Sequence, residues 1–283
     1  MTDSVRTLIS TFRDRARFYA SPLRFWPLPS LEILTVVFVA GTALAISPVG
    51  RDVDRFFFVR VVTKDDGMLF TLFQEVLDRL SSQRVVGVLM LVVALWFAAR
   101  CRTFAPLIIA GLAELMFAGV GILKIFLAKS STKVGEPDWW DGGILAQGKH
   151  SMAYPSGHAT EAVLLWGTIL LLFVLYSPQW THRRTVVVAQ FWHLIIVNTV
   201  VVSWLMGHHW VSDLAAGMVC GLIGLRLVVG LVERGVPQAA ADICGAAVSD
   251  LLWPASQPVA DRDPAAVPRP VIPSPLVYRS WIR

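Results

Sequence analysis

Six stretches of this chain are long and apolar enough to cross a bilayer: Leu31–Val49, Val85–Ala99, Phe104–Leu127, Ala159–Tyr176, Thr185–Met206 and Val211–Val232. In hydrocarbon every backbone N–H and C=O must find a partner within its own segment, so a span of about 20 apolar residues folds as a helix. The pattern therefore predicts an all-α, polytopic membrane protein with six transmembrane helices. The second stretch is short and is expected to extend into Ser82-Gln83-Arg84. The sixth is interrupted by Gly217, Gly221 and Gly224, small residues that let helices approach closely. Composition agrees, since only 16% of residues are charged and 55% are hydrophobic, against roughly a quarter charged in soluble domains.

Arginines set the expected orientation. Arg6, Arg13, Arg15, Arg17 and Arg24 precede the first span, Arg100 and Arg102 follow the second, and Arg183 and Arg184 follow the fourth. With six spans all three groups fall on one side, which the positive-inside rule makes cytoplasmic. The formal charge of +5 reflects these flanks, and no basic-aromatic platform points to nucleic acid. Three divisions follow: a cytoplasmic segment over 1–30, a six-span membrane domain over 31–235, and a proline-rich cytoplasmic tail over 236–283. A polar, arginine-rich stretch precedes the first apolar run, which has no small-residue cleavage site, so a removed signal peptide is not expected. Residues 51–84 form a long outer loop in which Leu69, Phe73, Val76, Leu77 and Leu80 recur at helical spacing. An amphipathic helix lying on or capping the bundle is expected there. Three scattered cysteines, Cys101, Cys220 and Cys244, suggest neither a disulfide framework nor a zinc site.

Two short strings carry the chemistry. Pro155-Ser156-Gly157-His158 and His208-His209-Trp210-Val211-Ser212-Asp213 both fall at the outer ends of spans. His209 and Asp213 are four residues apart and share a helical face. A carboxylate on one ring nitrogen fixes the tautomer and leaves the other nitrogen to attack. Two histidines, one so backed, suit phosphoryl transfer through a phosphohistidine: one attacks phosphorus and the other protonates the leaving oxygen. The Ser156-Gly157 turn opens a helix whose N–H groups and dipole favour a phosphate. Lys124 and Lys129, near the outer end of the third span, can add positive charge. The bland readings are a plain N-cap for the first string and an interfacial cluster for the second.

The two strings together resemble the type 2 phosphatidic acid phosphatase family, which shares a helical-bundle core with vanadium haloperoxidases. The resemblance covers roughly Gly121–Gly217. It implies His209 as nucleophile, Asp213 as its orienting partner, His158 as general acid, and Ser156 and Gly157 as phosphate binders. It implies neither metal nor other cofactor. The substrate it implies is a lipid phosphate or polyprenyl (pyro)phosphate, met at the outer face of an inner membrane. Two family arginines are absent. Val202 and Ser203 stand where serine-arginine is usual, and Glu136-Pro137, at the right distance from Lys129, stands where arginine-proline is usual. Lys129, Lys133 or Lys149 could substitute, without an arginine's bidentate geometry. The string HHW-x-x-D also resembles that of inositol phosphorylceramide synthases. A phosphotransferase of the same fold is therefore the first alternative, a catalytically inert lipid-binding member the second, and a vanadate-dependent haloperoxidase a distant one.

Four other positions stand out. Glu114 lies mid-membrane and is expected to act in function or to pair with His193 or Asn198 of the fifth span. Glu161, one turn beyond His158, is expected to orient it or to face outer water. Trp139-Trp140-Asp141 is expected to anchor its loop at the interface, and Arg226 to snorkel toward the cytoplasm.

Overall fold

A computed structural model describes residues 28–141, 143–177, 181–237 and 239–242. The N-terminal arginines, Cys244 and the prolines of the tail lie outside the described residues. Seven α-helices of nine residues or more organise the described chain: α1 (Leu31–Ile46), α2 (Pro48–Phe56), α3 (Gln83–Cys101), α4 (Ala105–Leu127), α5 (Gly157–Tyr176), α6 (His182–Leu205) and α7 (Val211–Glu233). The last five are each long and apolar enough to span a membrane. The molecule is a multi-pass helical bundle with no strand among the described residues.

The first span departs from expectation. α1 stops at Ile46, and α2 leaves it at an angle of 83°. Ser47 caps the new helix by accepting from the Gly50 N–H at 3.2 Å, and Pro48 fills the position where a missing N–H costs nothing. Only glycine fits at the elbow, since a Cβ on Gly50 would lie 2.0 Å from the Leu44 carbonyl oxygen. The outer loop is helical as expected, but as a chain of short turns from Met68 to Ser81 with one π-type turn over Leu72–Leu77.

α5 is the central helix, buried along most of its length and packed against α3, α4, α6 and α7. Its tightest partner is α7, and the glycine stripe explains why. A Cβ on Gly217 would stand 2.5 Å from the Ser156 carbonyl oxygen, and one on Gly221 2.6 Å from Val163 Cβ. α3, α4 and α6 instead leave apolar sides open, with Leu91, Val92, Leu115, Phe126, Leu194 and Val197 exposed. Such a belt faces lipid in a bilayer.

Candidate active site

The site gathers where the start of α5, the turn between α6 and α7, and the C-terminal end of α4 meet. The packing of α5 on α7 joins its two halves: the Ser156 N–H donates to the Asp213 carbonyl at 2.9 Å. Thr160 adds a second tie, donating to the carbonyls of Ser156 and Gly217. The two strings, 50 residues apart in sequence, thus form one continuous surface.

Asp213 sits at the third position of α7, completely buried. Its Oδ2 receives the Trp210 N–H at 3.1 Å and faces His209 Nδ1 at 3.4 Å. The spacing of four residues therefore does what helical geometry promises. The opposite ring nitrogen, Nε2, has no hydrogen-bond partner among the described residues, and the side chain is partly exposed. His208, one residue earlier, lies outside this dyad. Burial holds its imidazole below the ordinary histidine range, opposed by Asp78 and reinforced by His209, Lys133 and Arg60.

His158 opens α5, half-buried, with Asp78, His209, His208 and Lys124 as its electrostatic neighbours. Ser156 is fully buried and caps the helix through its Oγ, which accepts from the Ala159 N–H at 3.4 Å. It shapes the turn from within; the accessible part of that turn is Gly157 and His158. Lys124 reaches across to the same place. Its Nζ donates to the Met152 carbonyl at 3.1 Å and would stand 3.7 Å from a Cβ on Gly157. An ammonium carries three donors, so two remain for an anion at the turn.

Lys129 has a different fate. It is completely buried, and its Nζ donates to Asp54 Oδ2 at 2.6 Å, Ser212 Oγ at 2.7 Å and Asp213 Oδ1 at 2.8 Å. All three donors are engaged, so the expectation that Lys129 replaces part of an arginine cradle does not fit its geometry. The rings of Trp139, Tyr154 and Trp210 surround it at 5.3–6.0 Å. A buried cation demands counter-charge, and two carboxylates supply it. Burial pushes the neighbouring Tyr154 phenol up to about 12, so it stays protonated and shares a hydrogen bond with Thr42.

Asp54 is a residue that sequence reasoning missed. The elbow at Ser47-Pro48 carries it inward on α2, where it also accepts from the Ser212 N–H and Oγ. Asp78 was missed as well; it stands 3.6 Å from His158 Nε2 and 3.9 Å from His208 Nδ1. The one available signal was the Ser-Pro pair inside an apolar run, which marks a new helix start. Glu136, at the position of a family arginine, pairs with Arg55 of α2 at 2.8 Å.

The remaining expectations divide. Glu114 accepts from Gln83 Nε2 at 3.3 Å, while Asn198 donates to the Leu77 carbonyl and His193 bonds to the Ala189 carbonyl, so neither expected partner of Glu114 is its partner. Glu161 is buried rather than facing outer water. Trp140 and Asp141 are exposed, but Trp139 turns inward over Lys129 and against Tyr154, so one residue of that motif is not at the surface. Arg226 pairs with Glu233 at 3.5 Å. Lys133 is exposed, and the Lys149 side chain lies outside the described residues.

The sequence model of the PAP2 superfamily matches residues 107–236. That stretch holds Lys124, the His158 turn and the His209–Asp213 dyad, and excludes Asp54 and Asp78. No curated protein sequence matches the chain. Among solved structures, the fold resembles a Bacillus subtilis protein described as the first transmembrane PAP2 type phosphatidylglycerolphosphate phosphatase. The TM-score is 0.56 at 16% identity, covering 72% of this chain and 96% of that one.

Proposed function

We propose that this chain, whose residues 107–236 match the sequence model of the PAP2 superfamily, is a membrane lipid phosphatase that works through a phosphohistidine on His209. The observation that carries the reading is the His209–Asp213 dyad set against the Gly157-His158 turn, with Lys124 beside it. Asp213 holds Nδ1, and Nε2 attacks phosphorus. The turn's N–H groups and Lys124 receive the phosphate oxygens. His158 gives its proton to the departing lipid oxygen, then takes one from the water that opens the phosphohistidine. The substrate is a lipid phosphate or polyprenyl (pyro)phosphate entering from the bilayer, and the site faces the extracytoplasmic side of an inner membrane. The single similar fold named above, described as a phosphatidylglycerolphosphate phosphatase, supports the lipid substrate.

One observation favours a second reading. Lys129 is withdrawn onto carboxylates, and Asp78 stands beside two of the histidines. A site with one available lysine and no arginine at the family positions is less suited to a dianion. Transfer of a phospho-headgroup, whose phosphorus carries a single charge, is the alternative.

Purified protein incubated with phosphatidic acid, phosphatidylglycerophosphate and polyprenyl pyrophosphate should release inorganic phosphate with no acceptor added. Brief incubation followed by alkaline quench should trap phosphate on His209, and His209→Ala should abolish both signals. A protein that releases nothing, yet makes a new phospholipid when membrane extract is supplied, replaces the phosphatase with the transferase.

A further inference from the structure

The outer segment between α2 and α3 lies outside the PAP2 match, yet it presents a carboxylate to the centre of the site. Asp78 is almost fully buried, accepts no hydrogen bond among the described residues, and has imidazoles as both of its ion-pair contacts. A carboxylate withdrawn from water without hydrogen bonds is costly unless positive charge is placed beside it. Its position is nevertheless built rather than incidental, because clamps from the bundle surround it. Asn198 of α6 donates to the Leu77 carbonyl at 3.0 Å, and Trp166 of α5 to the Leu80 carbonyl at 2.9 Å. The hydroxyls of Ser81 and Thr199 share a further hydrogen bond. Three side chains from two spans thus fix the residues on either side of Asp78.

We propose that Asp78 is a positioning residue that supplies the counter-charge of the His158 imidazolium while His158 acts as general acid. A general acid must begin the reaction protonated. Positive and titratable groups surround His158: Lys124 from α4, and His208 and His209 from the α6–α7 turn, with Arg60 and Lys133 beyond them around His208. Two carboxylates are near: Asp78, and Glu161 one turn further along α5. Of these, Asp78 is the one within ion-pair distance. At 3.6 Å from Nε2 it lies beyond hydrogen-bond geometry. It therefore offsets charge without engaging the proton that must be given away. His208, at 3.9 Å on the other oxygen, braces the carboxylate from the far side.

The proposal rests on the general-acid reading of His158, so its test must not depend on turnover. Diethyl pyrocarbonate modifies neutral imidazoles, and peptide mass spectrometry reads each histidine separately. Full-length protein in detergent should be titrated from pH 5 to 9. In Asp78→Asn the midpoint of His158 modification should fall by about one pH unit, the lower end of the effect of an opposite charge at this range. Asp78→Glu should restore most of the shift, and His150 should be unmoved in every variant. If Asp78→Asn fails to fold, Asp78→Ser carries the same expectation. An unchanged His158 midpoint in a folded variant overturns the proposal. Phosphate release is read apart from this: a shifted midpoint in a protein that releases no phosphate sinks the phosphatase reading and keeps Asp78, and the converse sinks Asp78 alone.

Discussion

Two regions border the same site and are made on different principles. The α5–α7 seam is helix against helix and close, with Gly217 and Gly221 letting backbone meet backbone. It supplies His158, His209 and Asp213, the groups proposed to meet phosphorus. The segment from α2 to Ser81 is a short helix followed by broken turns, held to the bundle by polar contacts such as Asn198 to Leu77 and Trp166 to Leu80. It supplies Asp54 and Asp78, which touch other protein charges. The seam fixes where chemistry can occur; the segment adjusts the charge under which it occurs. Lys124 and Lys129 show the difference, five residues apart. The first stays with the seam beside Gly157, and the second is drawn by Asp54 into a buried cluster with Asp213.

The sharpest way to break that comparison is to exchange the two lysines' fates. Lys129→Met leaves Asp54 and Asp213 buried without their cation, a loss of about 3–5 kcal/mol for breaking a buried pair. Thermal unfolding in detergent should show a large drop. Adding Asp54→Asn removes the surplus negative charge and should recover a good part of it. Recovery only with Asp213 replaced would mean that α2 does not share the cluster. Lys124→Met should barely move unfolding, yet lower turnover by roughly a hundredfold, the scale of one lost donor to a developing anion. Equal effects on stability from both lysines would erase the distinction.

The seam was legible in the sequence because its signals are local. A histidine and an aspartate four apart share a helix face, glycines every third or fourth residue mark a close-packed stripe, and a Ser-Gly before an apolar run marks a helix start. The last five spans fell within a few residues of their expected ends, whereas the first breaks at Ile46. The outer segment was not legible in the same way. Asp52, Asp54, Asp65, Asp66, Glu75 and Asp78 all lie in one mixed-charge stretch, and nothing local says which two turn inward. That choice is made by an 83° bend and by partners from 75 to about 160 residues away. The burial of Lys129 was not legible for the same reason, since its aromatic cage draws on Trp139, Tyr154 and Trp210 from three separate loops and helix starts.

A milder test concerns the seam itself. Gly217→Ala puts a methyl 2.5 Å from the Ser156 carbonyl oxygen, whereas nothing lies within 4 Å of a Cβ on Gly230 in the same helix. Overpacking of this kind costs about 1–3 kcal/mol, and here it pushes the His158 turn away from His209. Turnover should fall with stability in Gly217→Ala, while Gly230→Ala should be neutral or slightly stabilising. Full activity in Gly217→Ala would show that the two strings need not be held at the observed distance.

The smallest expected effect belongs to His208, where seam and segment meet. Burial lowers its proton affinity in the folded protein, so the unfolded chain binds the proton more readily. Stability then rises with pH wherever the unfolded state holds more protons. As pH falls, the loss begins near the ordinary histidine value, about 6.5, and levels off once the folded imidazole is also charged. Above that window His208 is neutral in both states and contributes nothing to the slope. His208→Asn removes the titration while keeping a polar side chain of similar reach, so the decline in melting temperature between pH 7 and pH 5 should become shallower. Asp78→Asn should do the opposite, because it removes the carboxylate that partly stabilises a charged His208 and so deepens the loss. Identical pH slopes in the wild type and both variants would mean that the carboxylate of the outer segment and the imidazole of the α6–α7 turn do not sense one another, and the division of labour between the two regions would lose its electrostatic basis.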